Sequence, residues 1–366
     1  MSARPLRRAG AFCLAGATGV VLAGCGAVAG GSGEASGQPS DVKACVVTSD
    51  GGFQDRSFNQ GAHDGLRAAA RGGGVRTSQA ESRSAAEFEP NLRSMVQQGC
   101  ALTVSLGHQL AATTQKVAAA HPERHFAVVD DASVSAPNVT SVVYRSEEAA
   151  FLAGYLAAGT TKTGSVGTFG GVDDPAVRAT MDGFADGVRH YNEKNGKDVA
   201  VLGWNRDERR GSFLGSFHDT AKAKKVTQDL VDDGADVVLP VAGQAAQGAA
   251  DTVVAANRSG HTVRLIWPDT DGYEVLPAGR EYVLTSVLKG LSASVEDLVT
   301  HTADGTFTTG TTVGTLGNGG VGLAPYHDQQ SVVGEALDRQ VRQLKQDVIG
   351  GRVRVRSDST GGTPSP

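Results

Sequence analysis

VKACVVTSDGGFQDRSFNQGAHDG, residues 42–65, begins as an apolar run and ends as a helical pattern. Charged, amide and glycine residues stand between them. The run 42–48 is short and almost wholly apolar, which suits a strand buried on both faces. The pattern over 59–70 suits a helix. A strand that hands over to a helix is the unit of a parallel sheet, because a parallel partner needs a crossover connection. DGGFQDRS then lies at the carboxyl end of a strand, where open parallel sheets bind their ligands. Gly51 and Gly52 let the backbone turn tightly and come close to a ligand. Asp55 or Ser57 is placed to cap the helix by accepting its free N–H groups.

The same rhythm runs on. Strands over 75–80, 101–106, 125–129 and 139–144 alternate with helices over 85–98 and 109–120. After a helix over 149–160 it restarts, with strands at 165–169, 199–204, 236–240, 263–267 and 282–287. Helices at 177–193, 221–233, 244–257 and 292–302 separate or follow them. Two rounds of one α/β pattern, with no long linker, predict two similar lobes. The first spans 42–145, the second 146–267, and part of 268–325 returns to the first. Polar residues gather at the strand ends, Asp50, His108, Asp130, Asp131, Asp269, Asp271 and Lys289, and Gly243 follows another. A set of merely solvating loops has no need of acids at so many strand ends.

Composition narrows the function. Of 366 residues, 40% are hydrophobic and 20% charged, as in soluble globular proteins. The net charge of −5, from 34 Lys and Arg against 39 Asp and Glu, gives no electrostatic reason to expect nucleic acid. The histidines have no paired spacing, so no metal site is expected. There is no G-x-S-x-G elbow, and no GK[ST] follows the glycine pairs. No catalytic residues and no cofactor are expected.

The N-terminus reads as an export signal. Arg4, Arg7 and Arg8 precede an apolar run over 9–23 that is too short to span a bilayer. The run ends in LAGC, residues 22–25, a lipoprotein cleavage box. Residues 1–24 are then a signal peptide, and Cys25 carries the lipid that holds the protein on the outer face of the cell membrane. Residues 25–41, rich in Gly, Ala and Ser, form a flexible leash. The tail 357–366 has a disordered composition. Cys45 and Cys100 remain, and export permits a disulfide. If their runs are neighbouring parallel strands, the thiols lie at one height and can bond. The other reading is two buried thiols.

Ten stretches share an order and spacing with a known family: SDGGFQDRSFNQGAHDG (49–65), QGCALTVSLG (98–107), HFAVVDD (125–131), EEAAFLAGYLAA (147–158), TGSVGTFGG (163–171), DGFADGV (182–188), GSFHDTAKAKK (215–225), GADVVLPVAG (234–243), PDTDGY (268–273) and VLTSVLKGL (283–291). In these the chain resembles the basic membrane protein family, lipid-anchored nucleoside-binding receptors of ABC importers. The resemblance implies a type I periplasmic-binding-protein fold, two Rossmann-like lobes joined by a hinge. It also implies a nucleoside ligand, a purine nucleoside first, and permease and ATPase partners. A surface sensor or adhesin on the same fold, or a nucleoside hydrolase, are the rival readings.

The resemblance also assigns roles. Phe217 stands at the base-stacking phenylalanine. His63 stands where the family has its second stacking aromatic. Asp269 and Lys289 match the ribose-contacting acid and amine, and Asp130 another acid that meets the ligand. Gln54 stands where relatives carry Asp or Asn facing the base. Gly243 opens GQAAQG, a stretch that is glycine-richer in relatives. From the residues themselves, Asp55 reads as a cap or a ligand contact, and Asn59 as a ligand contact or a brace for the loop.

Overall fold

The computed structural model describes residues 42–355 and Ser357. The expected signal peptide, Cys25 and the expected leash before residue 42 lie outside the described residues, as does the tail beyond Ser357. The chain opens with β1 (Val42–Thr48), α1 (Phe58–Arg71), β2 (Val75–Ala80), α2 (Phe88–Gln97), β3 (Leu102–Leu106), α3 (Ala111–Ala120), β4 (His125–Val129) and β5 (Val139–Tyr144). A second series follows: α4 (Ser146–Thr160), β6 (Ser165–Gly170), α5 (Pro175–Asn195), β7 (Ala200–Leu202), β8 (Trp204–Asn205), β9 (Arg210–Gly211), α6 (Thr220–Asp232), β10 (Val237–Val241), α7 (Ala246–Arg258), β11 (Arg264–Asp269), α8 (Gly272–Val275) and β12 (Val283–Lys289). The described chain ends with α9 (Leu291–Ala303), β13 (Gly310–Gly314), β14 (Val321–Leu323) and α10 (Gln330–Ile349).

These strands form two six-stranded sheets, ordered β13-β5-β4-β3-β1-β2 and β14-β12-β11-β10-β6-β7, within one compact unit. The first is parallel throughout; in the second only β14 runs antiparallel. Each repeats the doubly wound order in which the second strand flanks the first and the chain then reverses direction. The crevices fall between β1 and β3 and between β6 and β10, the switch points where such sheets bind ligands. Among the described residues the chain passes between the sheets three times: from β5 to α4, from β12 to α9, and from β13 to β14.

The α/β class and the alternation match the expectation. The lobe boundary moves, because β12 and β14 belong to the second sheet although both lie beyond residue 267. The strand expected over 199–204 is broken. Gly203 has φ +81, and a side chain there would meet the Thr168 carbonyl at 2.3 Å. The chain therefore leaves β7 and turns into the β8–β9 hairpin.

Helix α4 is apolar all round and almost wholly buried. Its backbone lies directly on α5. A Cβ at Gly154 would fall 2.0 Å from the Phe184 carbonyl, and one at Gly187 would fall 2.0 Å from that of Phe151. So EEAAFLAGYLAA and DGFADGV are two halves of one close helix contact. Cys45 and Cys100 are bonded, with Cα atoms 6.0 Å apart. They are not level: Cys45 on β1 pairs with Thr103 on β3, so Cys100 sits in the turn before its strand. The bond ties that turn to β1 and packs beside Phe88, Leu92 and Phe126. For its sequence separation of 55 residues, the chain-entropy model gives roughly 4 kcal/mol of stabilisation.

Candidate functional site

The strand ends of both sheets face one cleft of about 620 Å³, counting space open to solvent. From the first lobe come Ser49 and Asp50 after β1, Gly107, His108 and Gln109 after β3, and Asp130 after β4. The first turn of α1 adds Phe58 and Asn59. From the second lobe come Asp174, Gly243, Asp269 and Lys289, with Phe217 from the loop before α6.

Lys289 Nζ lies 2.5 Å from Asp130 Oδ2 and 3.3 Å from Asp269 Oδ1. All three side chains are nearly buried. Burial alone would push the Lys289 ammonium down, but the two carboxylates outweigh it and hold the amine above its usual range. Asp130 and Asp269 both have left-handed backbones, with φ 63 and 68. That conformation costs a non-glycine residue free energy and is retained mainly where a site requires it. Here it turns each acid, at the end of a strand, back over the cleft. Burial pushes the Asp130 carboxyl up while the Lys289 ammonium pulls it down, and carboxylate oxygens held by that ammonium suit ligand hydroxyls as donors.

Two aromatic rings enter from opposite lobes. Phe217 rests on Gly171, where a Cβ would lie 2.4 Å from the ring, and beside Gly243, whose φ is +52. The glycines of TGSVGTFGG and GADVVLPVAG thus make room for that ring. Phe58 lies in the other wall, with Lys289 Nζ 5.1 Å from its centroid, within cation–π range.

Asp55 lines the cleft, but its oxygens serve the helix. They accept the backbone N–H groups of Ser57 (2.9 Å), Asn59 (2.8 Å) and Gln60 (2.9 Å). Burial still pushes its carboxyl up to about 6 against those three donors. Asn59 donates to the Asp50 carbonyl at 3.2 Å, while its Oδ1 is buried with no hydrogen-bond partner among the described residues. Asp131 takes His108 Nδ1 at 2.5 Å and the Ser133 N–H at 2.8 Å, so it braces the turn behind the cleft.

Two expected contacts fall outside the cleft. His63 is one helical turn beyond Asn59, where α1 has left the strand ends, and its ring packs on Phe53 at 4.7 Å. Gln54 is exposed, and only its carbonyl is engaged, accepting from Gln247 Nε2 at 3.4 Å. The sequence reading passed over Phe58, Gln109 and Asp174. Position gave a signal for two of them: Phe58 is the first helical residue after Ser57, and Asp174 precedes Pro175 as the cap of α5. Among the described residues no three His, Cys, Asp or Glu side chains are placed to hold a metal ion.

A profile of the family described as "ABC transporter substrate-binding protein PnrA-like" matches residues 42–359. The chain is 31% identical to the ABC transporter nucleoside-binding protein BmpA of Lactococcus lactis subsp. cremoris, over 92% of this chain and 95% of that one. It is 28% identical to the CD4+ T-cell-stimulating antigen of Listeria innocua, over 93% and 95%. A solved ABC transporter solute-binding protein from Aeropyrum pernix K1 superposes with a TM-score of 0.77 at 25% identity, over 87% of this chain and 94% of that one.

Proposed function

The chain belongs to the PnrA-like family of ABC transporter substrate-binding proteins, and from that premise we propose that its cleft captures an uncharged nucleoside, a purine nucleoside first, for import. The carrying observation is the pairing of two aromatic rings from opposite lobes, Phe58 and Phe217, with the Asp130–Lys289–Asp269 group in the same cleft. A nucleoside is a flat heterocycle joined to a hydroxylated sugar, and it carries no charge. The rings suit the base and the carboxylates suit the sugar hydroxyls. The unpartnered Oδ1 of Asn59 offers an acceptor to a base N–H. The relative named as a nucleoside-binding protein supports this reading.

Titration calorimetry with nucleosides, free bases, ribose and 5′-monophosphates tests it. Nucleosides are expected to bind at micromolar Kd or tighter and to be recovered intact, as for a receptor and not a hydrolase. Monophosphates are expected to bind at least about 100-fold more weakly, because Asp130, Asp174 and Asp269 face the ligand with one ammonium. Nucleosides that bind no better than ribose contradict the proposal.

Lipid anchoring is part of the same proposal. The box at residues 22–25 would place the acyl groups on Cys25. Cys25→Ser is expected to release the protein from the membrane fraction into the medium or periplasm. Retention of acylated protein in that variant contradicts the anchor.

A further inference from the structure

We propose that Asp50 and His218 form a latch that holds the lobes shut and fixes Phe217 in place; it is a device of the binding cleft and rests on that reading of it. Asp50 follows β1 in the first lobe. Its carboxylate is met by three consecutive residues of the second lobe. Oδ2 accepts the backbone N–H of Phe217 at 2.9 Å and the Ser216 hydroxyl at 3.4 Å. Oδ1 lies 2.6 Å from His218 Nδ1 and also accepts the N–H of Gly51, in its own loop, at 3.0 Å. A carboxylate needed only to brace its own loop would not draw its donors from across a cleft.

The position of these contacts makes them a latch. The chain passes between lobes at the β13, β5, β14 and β12 end of the sheets. Asp50 stands at β1, far from that end. The 216–218 loop is seated over β6 and β10: Gly215 and Ser216 donate to the Gly171 carbonyl at 2.7 and 3.2 Å, and Ala245 donates to the Phe217 carbonyl at 2.8 Å. Among the other contacts across the cleft, Lys289 Nζ to Asp130 Oδ2 at 2.5 Å and Ser57 Oγ to Asp269 Oδ2 at 2.6 Å are made at β12 and β11, nearer the crossovers, and Gln247 Nε2 donates to the Gln54 and Asp55 carbonyls at 3.4 Å. A hinge opening moves the far rim most, so the Asp50 contacts break first. The same carboxylate that closes the rim holds the peptide N–H of the stacking residue. Closure and the placing of the Phe217 ring are therefore one event. His218 is more than half exposed and outside the cleft lining, so it acts on closure without touching a ligand.

Such a latch acts mainly on release, because a ligand leaves only after the closed form lets go, whereas capture falls only by the fraction of unliganded molecules already shut. The test uses nitroxides at two exposed sites, R71C in the first lobe and D233C in the second, with the inter-lobe distance distribution read by pulsed electron spin resonance without ligand. His218→Ala is expected to lower the short-distance population at least threefold. His218→Asn, which keeps an N–H near the Nδ1 position, is expected to restore it. With the tightest-binding nucleoside of the calorimetric panel, His218→Ala is expected to raise the release rate three- to tenfold, with the association rate within twofold of wild type. An unchanged distance distribution in His218→Ala overturns the latch whether or not a nucleoside binds. Absence of nucleoside binding by the wild type overturns only the ligand assignment.

Discussion

Replacing Lys289 by methionine is expected to weaken the proposed nucleoside binding at least about 100-fold. The ammonium is the only cation in contact with both Asp130 and Asp269 among the described residues, and all three side chains are nearly buried. Removing one partner from a buried ionic group leaves the others unpaired in low dielectric, which costs roughly 3–5 kcal/mol. Two facing carboxylates then share a proton, and the sugar loses a donor. The folded protein also becomes less stable. The amine is raised from an unfolded value of 10.5, so its contribution is complete at neutral pH and is lost as pH climbs past that value. Melting curves of wild type and Lys289→Met at pH 7 and pH 11 check the sign: a gap of several degrees in Tm at pH 7 that narrows at pH 11. Equal Tm and equal affinity at pH 7 would show that the ammonium is no part of the site.

Phe217→Ala and Phe58→Ala are each expected to weaken nucleoside binding about tenfold or more by calorimetry. Stacking a base on an aromatic ring is worth roughly 1–3 kcal/mol. Both variants should keep the wild-type circular dichroism spectrum, since both rings lie partly open to the cleft. The discriminating control is His63→Ala. Its ring packs on Phe53 outside the cleft, so affinity should stay within about twofold. A large loss for His63→Ala with none for Phe58→Ala would return the second stacking role to His63.

That control marks where sequence reading stops. Helical periodicity predicts a helix over 59–70, which leaves Phe58 outside it, and only the angle at which α1 leaves its strand end decides which turn looks into the cleft. The first turn does, so Phe58 and not His63 lines it. Strand ends were legible because buried parallel strands are short apolar runs, and Asp130, Asp269 and Lys289 follow such runs directly. The latch was not legible: Asp50 and His218 are 168 residues apart, and only lobe closure brings them together. The extent of the second lobe was hidden for a similar reason, since β12 looks the same in sequence whichever sheet it joins. Strand β13 is polar and largely exposed at a sheet edge, and β14 is three residues long, so neither gives a clear pattern. Helix α10 does carry a sequence signal. Val333, Leu337, Val341, Leu344 and Val348 recur at helical spacing, with Gly334 breaking the first turn.

In the binding mode proposed above, a nucleoside lies between Phe58 and Phe217 with its sugar on Asp130, Asp269 and Lys289. A crystal structure of the protein grown at saturating nucleoside tests it most directly. Density for the base against those two rings, with sugar hydroxyls within hydrogen-bond distance of the two carboxylates, is the predicted result. A nucleoside seated at any other surface, with this cleft holding only solvent, would contradict it.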